Sequence, residues 1–104
     1  NAVTAYREAI RLNPRDRDAF RLLARTQVAM GTPQAAVATF EEGLAILPGD
    51  PLLQAELAEL YDSTGHAWKA RFLWEAVASQ SVDLELSRFA AAKLVQKRPR
   101  SVSE

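Results

Sequence analysis

Arg21 and Arg25 stand four residues apart. On a helix that spacing stacks two guanidinium groups on one face, where together they could hold a carboxylate or an acidic peptide side chain. A second concentration of functional side chains is HAWKARFLW, His66 to Trp74. It gathers Trp68, Phe72 and Trp74 in a chain with only two tryptophans and four phenylalanines. Other chemistry is thin. His66 is the only histidine and cysteine is absent, so thiolate metal sites, disulfides and thiol nucleophiles are excluded. A metal on His66 would need further ligands, and only scattered carboxylates are available. Glu41 and Glu42 are adjacent in a helical stretch, point apart, and read as a solvated face. There is no glycine-rich phosphate loop and no serine with a plausible histidine partner. The residues point away from an enzyme, a metal or a cofactor, and binding is what remains.

Hydrophobic residues at 48% and charged residues at 25% are those of an ordinary globular chain. No apolar run approaches the ~18 residues that span a bilayer. The net charge of zero hides three blocks. Residues 1–34 carry six arginines against Glu8, Asp16 and Asp18, leaving +3; residues 35–66 carry six acids and no base, leaving −6; residues 67–104 return to +3. This basic–acidic–basic order does not suit a continuous phosphate-tracking surface, which argues against nucleic acid. It suits either head-to-tail association or plain solvated faces.

What positions these residues is a period of 34. Ala2, Ala36 and Ala70 keep it, as do Tyr6, Phe40 and Trp74. So do Leu23, Leu57 and Ala91, then Ala24, Ala58 and Ala92, and the pairs Pro14/Pro48 and Gly31/Gly65; Val82 stands in the third proline slot. Local signals are helical throughout. Thr32-Pro33 and Asp50-Pro51 each read as an N-cap followed by proline in the first turn. Gly31 and Gly65 sit where a helix stops and the chain turns back, and Pro14 and Pro48 end helices because the ring cannot continue the ladder. The expected helices are 2–13, 17–30, 33–47, 51–64, 67–80 and 83–97.

Two helices in each period, an alanine four before an aromatic, and a closing proline resemble the tetratricopeptide repeat. Phe20, Leu23, Ala24 and Gln27 fall where that family prefers Trp, Leu, Gly and Tyr, and Gln54, Leu57, Ala58 and Tyr61 repeat the set. Gln27 and Gln54 depart from the pattern. The resemblance implies an all-α solenoid of antiparallel helix pairs winding as a right-handed superhelix. Residues 1–16 form a half repeat, 17–50 and 51–84 full repeats, and 85–97 a capping helix that packs through Leu84, Ala91 and Val95. Residues 98–104 form a disordered basic tail. Small residues at 24, 36, 58 and 70 suit close helix crossings. The half repeat lacks its first helix, so Val3, Tyr6, Ala9 and Ile10 expect cover from upstream residues or a second copy.

In that family the first helix of each repeat lines a concave groove. Carried over, the groove positions are Asp18, Arg21, Arg25 and Val28, then Leu52, Ala55, Glu59 and Asp62, then Leu86, Phe89, Lys93 and Gln96. The family's carboxylate clamp for chaperone tails uses Lys and Asn at such positions. This chain has no Asn there and puts Glu59 and Asp62 mid-groove, so a mixed-charge peptide or partner helix is the better expectation. Arg21 and Arg25 are otherwise solvated or paired with Glu59. Three readings stay open: a protein-interaction scaffold within a larger array, a docking piece of a larger enzyme, and a helical-repeat RNA binder. The Ala/Arg/Leu-rich composition suggests a bacterial source, cytoplasmic or periplasmic, where such arrays serve secretion, pilus or envelope assembly.

The same grid divides the aromatic cluster. Trp74 shares the slot of Tyr6 and Phe40 and is expected in the core. With each residue turning the helix by about 100°, Trp68 and Phe72 lie only about 40° apart and far from Trp74. They form an outer stripe whose counterparts are Gln34 and Ala38, while Arg71 stands in the slot of Val3 and Val37. That stripe is a candidate contact for a partner, a second copy or the C-terminal segment, unless the packing slips locally.

Overall fold

Six helices form where the caps and breakers allow: α1 (Ala2–Leu12), α2 (Arg17–Ala29), α3 (Pro33–Ile46), α4 (Pro51–Ser63), α5 (Ala67–Gln80) and α6 (Leu84–Lys97). This computed structural model describes residues 2–80 and 84–97, so Val82 and the tail 98–104 lie outside the described residues. Every boundary falls within one residue of the sequence expectation. The chain is an α-solenoid of antiparallel helix pairs, and the described residues include no strand.

The caps differ in how they work. Asp16 opens α2 by accepting from Asp18 N at 3.1 Å. Asp50 opens α4 with one carboxylate oxygen accepting from Leu52 N and Leu53 N at 3.1 and 3.2 Å. It also receives Arg17 Nε at 2.9 Å, tying the start of α2 to the start of α4. Thr32 departs from expectation: it holds the N-cap position of α3, but its hydroxyl donates back to Gln27 O at 2.8 Å. Gly31, at φ +81°, turns the chain so sharply that this hydroxyl meets the end of α2. Pro33 meanwhile removes one amide that would have needed a cap. Gly65, at φ +83°, makes the equivalent turn between α4 and α5.

Packing follows from small residues at the crossings. Ala24, Ala36, Ala58 and Ala70 have no exposed surface, and Phe20, Leu23, Phe40, Leu53, Leu57, Trp74 and Val77 fill the space around them. Gly43 marks the tightest approach, where a Cβ would stand 3.1 Å from Phe20 Cγ and 3.2 Å from Leu53 Cδ1. Gln27 Oε1, which replaces an aromatic hydroxyl of the family pattern, accepts from the buried Thr39 hydroxyl at 2.6 Å and fastens α2 to α3. Trp74 is fully buried, donates from Nε1 to Asp62 Oδ2 at 3.0 Å, and meets Phe89 edge-on with ring centres 5.5 Å apart.

The helices form two rows. The backbones of the inner helices α2, α4 and α6 meet in sequence, whereas those of α1, α3 and α5 stay apart. Tight inner contacts and a splayed outer row curve the stack, with open gaps between the outer helices. One element breaks the grid. From α2 to α4 the buried positions keep the full period of 34, but from α4 to α6 they fall one residue short of it. The expected packing set is corrected accordingly: Leu86, Ala90 and Leu94 face the core, while Ala91 and Val95 are exposed. They follow Leu53, Leu57 and Tyr61 by the same shortened period.

Two outcomes test this account by urea unfolding. Asp50→Ala should cost about 1–2 kcal/mol through the lost cap, and Asp50→Asn, which keeps the cap acceptor, under about 1 kcal/mol. Trp74→Ala should cost about 3–5 kcal/mol, whereas Trp68→Ala, 72% exposed, should stay within about 0.5 kcal/mol.

Candidate functional site

A groove of about 320 Å³ runs between the inner helices α2 and α4. Ala24, Phe40 and Leu60 give it an apolar floor; Arg25 and Val28 stand on one wall, and Glu56, Glu59 and Ser63 on the other. The helical period explains the set, because Arg25 and Val28 are three apart and residues 56, 59, 60 and 63 form one face of α4. Arg25, Val28 and Glu59 were expected here from the sequence. Glu56, Leu60 and Ser63 were not, although their three- and four-residue spacing with Glu59 would have found them.

Charges in the groove are organised by Glu56. Its carboxylate is only 14% exposed and accepts from Arg21 Nε at 2.6 Å, with Arg25 at 3.5 Å. Arg21 also donates to Asp18 at 3.1 Å. Burial alone would lower the Arg21 pKa, but hydrogen bonds and charge from Glu56, then Asp18, outweigh it and hold the guanidinium above its ordinary value. Arg21 and Arg25 are therefore paired with Glu56, not with Glu59. Arg21 is committed to the fold, being 22% exposed and bonded twice, whereas Arg25 keeps 61% of its side chain in solvent. Glu59 is exposed and has no ion-pair partner among the described residues.

The remaining expected groove residues are placed differently. Asp62 accepts the Trp74 indole proton, so its carboxylate ties α4 to α5 within one repeat. Ala55 is buried, Leu52 half-buried, and Leu86 packs on the core. Phe89 is 42% exposed against Trp74, and Lys93 holds its ammonium 5.3 Å from the Phe89 ring centre. The one-residue slip at α6 turns Leu86 inward and brings Phe89 to the position that Glu56 holds one repeat earlier. The Gln96 side chain lies outside the described residues. His66 sits beside Thr64 and edge-on to Tyr61, and no cluster of three or more metal-ligating side chains occurs among the described residues. None of the described helices is long and apolar enough to cross a membrane.

On the opposite side Trp68 and Phe72 are 72% and 74% exposed. They share an apolar cleft with Leu57, Tyr61, Lys69 and Leu73, so the structure sets them apart from Trp74.

Removing one partner of a half-buried pair leaves the other desolvated and unmatched. Glu56→Ala or Arg21→Ala should therefore lower unfolding stability by about 1–3 kcal/mol. Arg7→Ala, which loses only the exposed Arg7–Glu42 bridge at 2.8 Å, should cost under about 1 kcal/mol. Equal losses would show that Glu56 does not organise the groove.

Residues 17–60 match the family model described as tetratricopeptide repeat. Among solved structures, the chain is similar to PcrH in its crystal structure in complex with the chaperone binding region of PopD. The TM-score is 0.77 at 17% identity, over 91% of this chain and 74% of that one. No curated protein matches the chain.

Proposed function

We propose that the chain, whose residues 17–60 match the tetratricopeptide repeat model, is a non-catalytic interaction scaffold whose groove between α2 and α4 takes a segment of a partner protein. The observation that carries this reading is the groove itself: an apolar floor lies between an arginine wall and a glutamate wall, open along the inner row. A segment complementary to it offers an apolar side chain to Val28 and Leu60, an acidic group to Arg25 and a basic group to Glu59. A lone carboxylate terminus fits poorly, since Arg21 is already neutralised by Glu56 and Asp18. PcrH, of the same architecture, was solved with a segment of another protein, which supports the reading at the level of fold. The finer setting, a bacterial secretion, pilus or envelope assembly, draws only on composition and family.

Arg25→Glu is a cleaner probe than Arg21→Glu, which would confront Glu56 and Asp18 with a like charge. Peptides selected on the chain from a random display library should carry both charge signs around an apolar residue. Their affinity, measured by fluorescence anisotropy, should fall about tenfold or more in Arg25→Glu or Glu59→Lys, as for central interface charges. Swapping the peptide's charges should recover binding to the double variant. Unchanged affinity in both single variants would remove the groove from the binding site.

A further inference from the structure

The outer face carries a second surface that the inner groove does not use. Trp68 and Phe72 project from α5 with about three quarters of their area exposed. The cleft they rim, of about 310 Å³, has Leu57, Tyr61 and Leu73 for walls and a single charged residue, Lys69. The Lys69 ammonium lies 5.4 Å from the Tyr61 ring centre and 5.5 Å from that of Trp68. No carboxylate among the described residues pairs with it. A cation held on aromatic faces keeps its charge directed into an apolar cleft. A smaller cleft of about 180 Å³ shares Tyr61 and Lys69 and extends toward α3 along Gln34 and Val37.

The two gaps between outer helices differ in their ion pairs. Arg7 of α1 reaches Glu42 of α3 across the first gap at 2.8 Å. One repeat later the same two slots hold Glu41 and Ala76, which cannot form that bridge. Glu41 instead accepts from the Tyr61 hydroxyl at 3.2 Å. The second gap therefore lacks that bridge beside Lys69.

We propose that this outer cleft docks a short amphipathic segment of a partner protein, placing an apolar side chain between Trp68 and Phe72 and a carboxylate on Lys69. Charge selects this occupant over the alternatives. A two-fold pairing of copies through the patch would bring the two Lys69 ammoniums together, and it would rest on a handful of residues where stable interfaces engage about 20–30 a side. The segment RPRSVSE, residues 98–104, carries two arginines against the single acid Glu104, a net positive charge that opposes Lys69. The site is independent of the inner groove.

Trp68 is its own reporter, since Trp74 is fully buried. The probe is a short synthetic amphipathic helix with leucines four apart flanked by glutamates, titrated while tryptophan emission is recorded; its counterpart has lysines in place of the glutamates. The acidic probe should give a saturable blue shift. Phe72→Ser, folded normally because the ring is exposed, should weaken binding about tenfold or more, as for a central aromatic anchor. Lys69→Gln should weaken it about threefold to tenfold, and Arg25→Glu should leave it unchanged. No saturable shift, or equal binding of the lysine counterpart, would overturn the proposal. So would sedimentation showing a dimer that Phe72→Ser dissolves, or a blue shift with anionic phospholipid vesicles and none with the peptide.

Discussion

Four alanines without exposed surface, Ala24, Ala36, Ala58 and Ala70, set the distance at which neighbouring helices cross. Any larger side chain there would push the axes apart and open voids that nearby residues could not fill. Once the crossings are this close, Phe40 and Trp74 reach from one repeat into the next and close the core between them. The inner helices then touch while the outer helices diverge. The inner cleft lies along the α2–α4 seam of contact, and the outer one between α4 and α5.

Electrostatics is fitted to the same geometry. The arginines of the first charge block meet the acids of the second: Arg7 with Glu42, Arg17 with Asp50, and Arg21 and Arg25 with Glu56. Each pair links one helix to the helix two places further on, close to one repeat away in sequence. The basic and acidic blocks thus satisfy each other inside the chain, and their order needs no second molecule to account for it. Most of these bridges are exposed and contribute little individually; Asp50 and Glu56 matter more because both are half-buried. In the third block two lysines sit on aromatic rings instead, Lys69 on Tyr61 and Trp68 and Lys93 on Phe89.

Much of this was legible in the residues because helix ends and core slots rest on local chemistry. Gly31, Pro48, Asp50 and Gly65 act over a few bonds, and the repeating grid placed Phe40 and Trp74 without knowledge of the fold. Partners across helices were less legible. Whether Arg21 meets Glu56 or Glu59 depends on the rotation of α4 relative to α2, and Asp62 looks like a groove acid until Trp74 Nε1 is known to point at it. Thr32 carried a cap signature, yet its hydroxyl had a nearer acceptor in Gln27 O.

The slip at α6 shows how one residue redirects a surface. A helix rotates by about 100° per residue, so a register one residue short turns the whole inner face by that amount. Leu86 and Leu94 move into the core and Ala91 and Val95 move out. Phe89 comes to rest on Trp74, and Lys93 follows it. The inner row therefore ends in an aromatic where the preceding repeat presents Glu56, with Lys93 in the slot of Leu60. A segment lying along the row meets arginine, then glutamate, then an aromatic beside a lysine. That alternation of sign gives successive stretches of the row different charge.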